Sequence, residues 1–160
     1  MPPLTFSYYR SIAPTLTMLL GLAIAETLVV HLLAAALWGM TVAIILGLLD
    51  ISVVFGLIAL LRAIRANPVT LADGILTMRL GRMIVLDIPI DQIAGFRDSW
   101  DAQLLKRRDV RNMALAAWPN ILIELKTPIR TRRREISMVA HRIDDAGALR
   151  AALTRAMSAA

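Results

Sequence analysis

Ile12–Trp38, IAPTLTMLLGLAIAETLVVHLLAAALW, and Met40–Leu61, MTVAIILGLLDISVVFGLIALL, hold Glu26, His31 and Asp50 as their only ionisable residues. Each run exceeds the roughly 20 helical residues that cross a bilayer core. Trp38-Gly39-Met40-Thr41 separates them, and so short a connection makes an antiparallel helical hairpin. Pro14 suits a first helical turn, where its missing N–H costs nothing. The first run is too long for a signal-peptide core and has a single Arg ahead of it, so a cleaved leader does not fit.

Working outward from the hairpin, charge is distributed unevenly. The 160 residues carry a net charge of +6, and of the 18 Lys and Arg only Arg10 precedes Leu61. Arg10 flanks the first run, Arg62 and Arg65 flank the second, and the turn has neither Lys nor Arg. The positive-inside rule then puts both termini in the cytoplasm and the turn outside, with Trp38 at the interface. The chain divides into a short cytoplasmic segment (1–11), a transmembrane hairpin (12–62) and a cytoplasmic domain (66–160). At 58% hydrophobic, the chain exceeds the soluble average of about 45–50%. It has no cysteine, which excludes disulfides, zinc–thiolate sites and thiol catalysis.

Glu26, His31 and Asp50 form a candidate intramembrane polar cluster. At about 1.5 Å per residue, Glu26 lies about 20 Å below the turn, Asp50 about 16 Å and His31 about 12 Å. Charges at such depth are costly and usually have a purpose. Three chemistries are open: polar contacts between helices or toward a partner, a proton or ion relay, and a metal site. Glu26 and His31 are five apart, about 140° around a helix, and no HExxH spacing supports a metal. Gly21-x-x-x-Ala25 and Ser52-x-x-x-Gly56 offer small-residue spacings for close helix approach.

After Arg65 the pattern changes to strands. Asn67-Pro68 breaks the helix. Val69–Leu71, the Asp73-Gly74 hairpin signal and alternating Ile75–Leu80 follow, with Leu76, Met78 and Leu80 on one face. Gly81-Arg82 turns the chain into Met83–Ile88, Pro89 limits that strand, and Ile90–Phe96 suggests another. Asn120–Lys126 alternates, with Ile121, Ile123 and Leu125 on one side and Leu122, Glu124 and Lys126 on the other. Thr127-Pro128 is the expected turn into Arg134–Val139, with Ile136 and Met138 inward. Asp144-Asp145 is the expected N-cap of a helix whose stripe is Ala146, Leu149, Leu153, Ala156 and Met157.

The stretch Pro68-Val69-Thr70-Leu71-Ala72-Asp73-Gly74-Ile75-Leu76, then Gly81, Ile88-Pro89-Ile90-Asp91-Gln92-Ile93 and Ile143-Asp144-Asp145-Ala146-Gly147-Ala148-Leu149, resembles the bacterial pleckstrin-homology-like (PH-like) membrane proteins. The resemblance covers roughly residues 66–158. It implies a small bent antiparallel sheet or barrel capped by a C-terminal helix, and carries over no binding residue. The expected fold class is therefore an α+β membrane protein: a two-helix transmembrane hairpin followed by an antiparallel PH-like domain.

Asp98–Trp118 departs from that pattern. Trp100, Leu104, Leu105, Val110, Met113, Leu115 and Trp118 mix with Lys106, Arg107, Arg108 and Arg111. The segment reads as an interfacial amphipathic stretch or as a strand with a long loop of the same domain. Arg130, Arg132, Arg133 and Arg134 are the densest basic run. Together with Lys106, Arg107, Arg108 and Arg111 they make a candidate patch for anionic phospholipid headgroups or an acidic partner; a solvated turn is the alternative. No nucleic-acid motif accompanies the positive charge.

Walker A, Gly-x-Gly-x-x-Gly and Gly-x-Ser-x-Gly patterns are missing. His141, where the last strand meets the helix, reads as structural. The expectation is a non-catalytic module of the bacterial inner membrane, without metal or cofactor. It would scaffold a membrane complex or serve as its accessory subunit, with a membrane-protein partner or a homo-oligomer and no nucleic acid. The rival is a small transporter or channel subunit, or a proton relay, using Glu26, His31 and Asp50; a third class is a membrane enzyme with a buried metal.

Overall fold

Apolar residues dominate from Tyr9 to Ala66, and the helix breaks only at Gly39. In the computed structural model, which describes residues 3–115, 117–131 and 134–158, they form α1 (Tyr9–Trp38) and α2 (Met40–Ala66). Gly39 takes a φ of 85°, left-handed backbone that glycine adopts without a Cβ penalty. Both helices are long and apolar enough to cross a membrane, by length and composition. The chain divides into two compact units: Ala13–Ala63, and the remainder, Met1–Ile12 with Ile64–Ala160.

The second unit is built on two sheets. The first contains β1 (Leu4–Phe6), β2 (Val69–Ala72), β3 (Ile75–Leu80) and β4 (Ile84–Pro89), all antiparallel and in chain order. Asp73 and Gly74 both have positive φ, 49° and 75°, as a two-residue type I′ hairpin requires. Leu76, Met78 and Leu80 are buried, following the alternation in the sequence. β1 is the element the sequence hides. Leu4 pairs with Leu71 and Phe6 with Val69, so the two long helices are inserted between adjacent strands of one sheet.

The second sheet is ordered β5 (Ile93–Phe96), β7 (Ile121–Arg130), β8 (Glu135–His141) and β6 (Val110–Asn112). It corrects the expectation of purely antiparallel strands, because β6 pairs with β8 in parallel. The chain reaches that edge through α3 (Ala102–Lys106), capped by the Asp101 carboxylate accepting from the Leu104 N–H at 2.7 Å. Trp100, Leu104 and Leu105 pack on Val110, Leu122 and Ala140. Asp98–Trp118 thus supplies a helix and an edge strand to the domain. Its packing also explains why Leu122 is fully buried rather than outward: both faces of β7 are covered there. Met138 joins the same cluster.

Thr127-Pro128 is not the turn. β7 runs on to Arg130, with a register irregularity between Glu124 and Ile129 that takes up the proline. The reversal lies at Thr131 and Arg134, where the Thr131 N–H donates to the Arg134 carbonyl at 2.9 Å. α4 (Ala146–Ser158) closes the unit and buries Leu149, Ala152 and Leu153.

Two polar networks join the N-terminal segment to this unit. The Tyr8 hydroxyl accepts from the Gly81 N–H at 2.7 Å and donates to the Asn67 carbonyl at 3.1 Å. Its ring lies 4.9 Å from that of His141. The His141 Nδ1 accepts from the Arg142 N–H at 2.7 Å, so Nε2–H donates to the Arg79 carbonyl at 2.9 Å. Both ring nitrogens are used in the neutral tautomer, which ties β8 to β3. The two adjacent acids divide their work. Asp145 caps α4 by accepting from the Ala148 N–H at 2.8 Å. Asp144 instead caps α1, accepting from the N–H groups of Arg10 and Ser11 at 3.0 and 2.8 Å. Burial pushes the Asp144 carboxyl up, but its hydrogen bonds outweigh that and hold it below the usual carboxylate range.

Burial pushes the His141 imidazole below its ordinary value, against the pull of its two backbone hydrogen bonds. The unfolded chain therefore takes up this proton first. Stability contributed by neutral His141 is fully present above the ordinary histidine value of 6.5 and declines as pH falls below it toward the folded value. Thermal unfolding of the full chain in detergent should show a midpoint that drops between pH 7.5 and pH 5. His141→Gln should flatten that slope; an unchanged slope would contradict the assignment.

Candidate functional site

Polar residues within α1 and α2 form the first candidate. Thr27 and His31 are four apart on α1 and share a face. The His31 Nδ1–H donates to the Thr27 carbonyl at 2.7 Å, and Nδ1 lies 3.6 Å from Asp50 Oδ2 of α2. Gly47 lies one turn before Asp50, and a Cβ there would come 2.5 Å from His31 Nε2. The missing side chain of Gly47 is what makes room for the imidazole. Gly21 and Gly56 have open space around them, so the small-residue spacings built on them do not form the seam. Ala34 and Ala43, near the turn, are the buried small residues.

Glu26 stands apart from this contact. It is exposed on α1 and enters no ion pair among the described residues. Its separation from His31 around the helix accounts for the split. Among the described residues no group of three His, Asp or Glu side chains is placed to hold a metal ion.

The basic residues of the β unit form the second candidate, and they are not equivalent. Arg107 is paired with Asp109 through two contacts, Nε to Oδ1 at 3.0 Å and Nη2 to Oδ2 at 2.8 Å. Asp109 also accepts from the Ser137 hydroxyl at 2.6 Å, and this bond, with Arg107, holds its carboxyl below the ordinary value. Arg130 faces Glu135 at 3.8 Å on the surface, where such pairs contribute little. Lys106 and Arg108 are exposed. Arg132 and Arg133 lie outside the described residues.

Arg111 and Arg134 are different: both are half-buried and line one cleft of about 540 Å³ with Thr131 and Ile136. Met83, Ile84, Val85 and Leu86 of the first sheet form its other wall. Among the described residues no carboxylate pairs with either arginine. Burial first, and then the charge of Arg134, pulls Arg111 below its ordinary value. The apolar wall was not legible as part of a site, because Met83–Leu86 reads as an ordinary strand.

No protein-family profile, no curated protein and no solved structure matches the chain.

The Gly47 contact yields a test by double-mutant cycle. Gly47→Ala should displace His31 and destabilise the full chain in mild detergent. In a His31→Ala background the same change should cost little, giving a coupling of roughly 0.5–3 kcal/mol. Strictly additive effects would show that the two residues do not meet.

Proposed function

We propose that this chain is a non-catalytic, membrane-anchored PH-like module of the bacterial inner membrane. Its hairpin holds the β unit against the cytoplasmic leaflet, and the whole scaffolds a membrane complex or acts as its accessory subunit. The observation that carries this reading is the insertion of two membrane-length apolar helices between the paired strands β1 and β2. Strand pairing keeps Phe6 and Val69 adjacent, so both feet of the hairpin belong on one side of a bilayer. Arg10, Arg62 and Arg65 at those feet favour the cytoplasmic side. The exposed apolar side chains of α1 and α2, Leu28, Leu32, Ile45 and Phe55 among them, suit lipid or neighbouring transmembrane helices. The basic residues around Lys106, Arg108 and Arg134 suit anionic headgroups.

His31 beside Asp50 reads as polar contact across the hairpin, which relieves the cost of placing each group there. A relay through all three residues has less support, since Glu26 lies outside that contact. Glu26 is instead available to a second hairpin or to a partner helix.

Reporter fusions at Met1 and Ala160 should both read cytoplasmic, and one at Gly39 external. An external reading at either terminus would overturn the orientation and the headgroup contact with it. Released from its own membranes in mild detergent, the full chain should migrate as an assembly with a partner or with itself. A single chain, free of partners, that turns over a substrate would overturn the scaffolding role.

A further inference from the structure

The cleft between β4 and the Arg111–Arg134 wall combines two features that rarely serve a bare surface. On one side are two guanidinium groups that repel each other. The Arg134 guanidinium donates from Nη1 to the Arg108 carbonyl at 3.4 Å, and among the described residues neither arginine has a carboxylate partner. Two half-buried positive charges side by side are unfavourable unless an anion sits between them. Guanidinium groups suit phosphate oxygens in both planarity and donor spacing.

On the other side, Met83 and Val85 are 63% and 50% exposed, although both belong to the segment that forms β4 and its turn. Leu86 continues this wall as a buried side chain, and Ile136 adds a buried apolar group on the arginine side. A small hydrophilic anion would leave this wall in water, whereas an apolar ligand would leave the arginines unpaired. A molecule carrying both characters satisfies both walls.

We propose that this cleft binds an anionic amphiphile that ends in a phosphomonoester. Arg111 and Arg134 take the phosphate, and Met83 and Val85 take the glycerol backbone and first acyl carbons of a phospholipid. The proposal rests on the membrane-anchored reading for the source of the ligand. The cleft chemistry itself lies wholly within the β unit.

The test uses the full chain in a neutral maltoside detergent, titrated calorimetrically with dihexanoyl phosphatidate, dihexanoyl phosphatidylcholine and inorganic phosphate. Phosphatidate should bind saturably and more tightly than either of the others. Arg111→Gln and Arg134→Gln should each weaken it by about tenfold, the scale of one lost charge-assisted contact. Lys126→Gln, exposed on β7 and outside both the cleft and the basic patch, should change it by less than about twofold. Met83→Ser should weaken phosphatidate and leave inorganic phosphate unaffected. Thermal unfolding of each variant checks that the fold is retained.

Phosphatidylcholine binding as well as phosphatidate would overturn the proposal. So would a loss in Lys126→Gln equal to that in the arginine variants, which would signify diffuse attraction rather than a site. Inorganic phosphate binding as tightly as phosphatidate would assign the arginines to a free anion and remove the amphiphile. None of these results moves the reporter orientation, so failure here is distinguishable from failure of the membrane reading.

Discussion

The pairing of β1 with β2 is the constraint on which the rest depends. Three residues, Leu4–Phe6, hydrogen-bond to a strand that begins more than sixty positions later, with the whole helical hairpin in between. Closing so long a loop carries an entropic cost that grows only slowly with length. The hairpin's own structure reduces the cost further, because two antiparallel helices return the chain near its starting point. In exchange, the residues that lead into α1 and out of α2 are fixed within the β unit. Asp144 adds to this by capping α1 from the far end of the sequence, and Tyr8 adds to it through Asn67 at the end of α2.

This arrangement gives the polar groups at the root different tasks. Tyr8 and His141 sit in the interior, and their hydrogen bonds run to backbone groups of Gly81, Asn67, Arg79 and Arg142. Each such bond satisfies a buried group that would otherwise cost free energy. They fix β8 against β3 and the N-terminal segment against both, and leave no ring nitrogen of His141 free for chemistry. Histidine chemistry, where the chain has any to offer, is confined to His31.

Much of this architecture is legible from local pattern. Hydropathy marks the helices, Asp73-Gly74 marks the hairpin turn, and alternation marks β3. Each signal is contained within a few neighbouring residues. What stays hidden depends on distant partners. β1 is three residues long and carries no signal of its own. β6 becomes a strand only because β8 presents a free edge in parallel register. Pro128 looks like a turn, but a bulge accommodates it within a longer strand. Asp144 and Asp145 look like a single cap and serve two helices. The candidate sites follow the same division. Depth along the helices put Glu26, His31 and Asp50 within reach of one another and helical spacing turned Glu26 away from His31, while the role of Gly47 needed three dimensions. Among the basic residues the sequence pointed to Lys106–Arg111 and Arg130–Arg134 without ranking them, and the cleft singles out Arg111 and Arg134 with Met83 and Val85 opposite.

The account's central claim is that the N-terminal segment completes the first sheet, so that the entry to α1 and the exit from α2 belong to one β unit. Cysteine cross-linking in the intact, membrane-extracted chain tests it most directly, since the sequence has no cysteine to interfere. Thr5 and Thr70 are register partners. Paired Cα atoms about 4.5–5.5 Å apart fall within the span of a disulfide. Thr5→Cys with Thr70→Cys should form an intrachain disulfide under mild oxidation, as should the reference pair Thr77→Cys with Asp87→Cys across β3 and β4. Cross-linking of the reference pair without the Thr5–Thr70 pair would contradict the account.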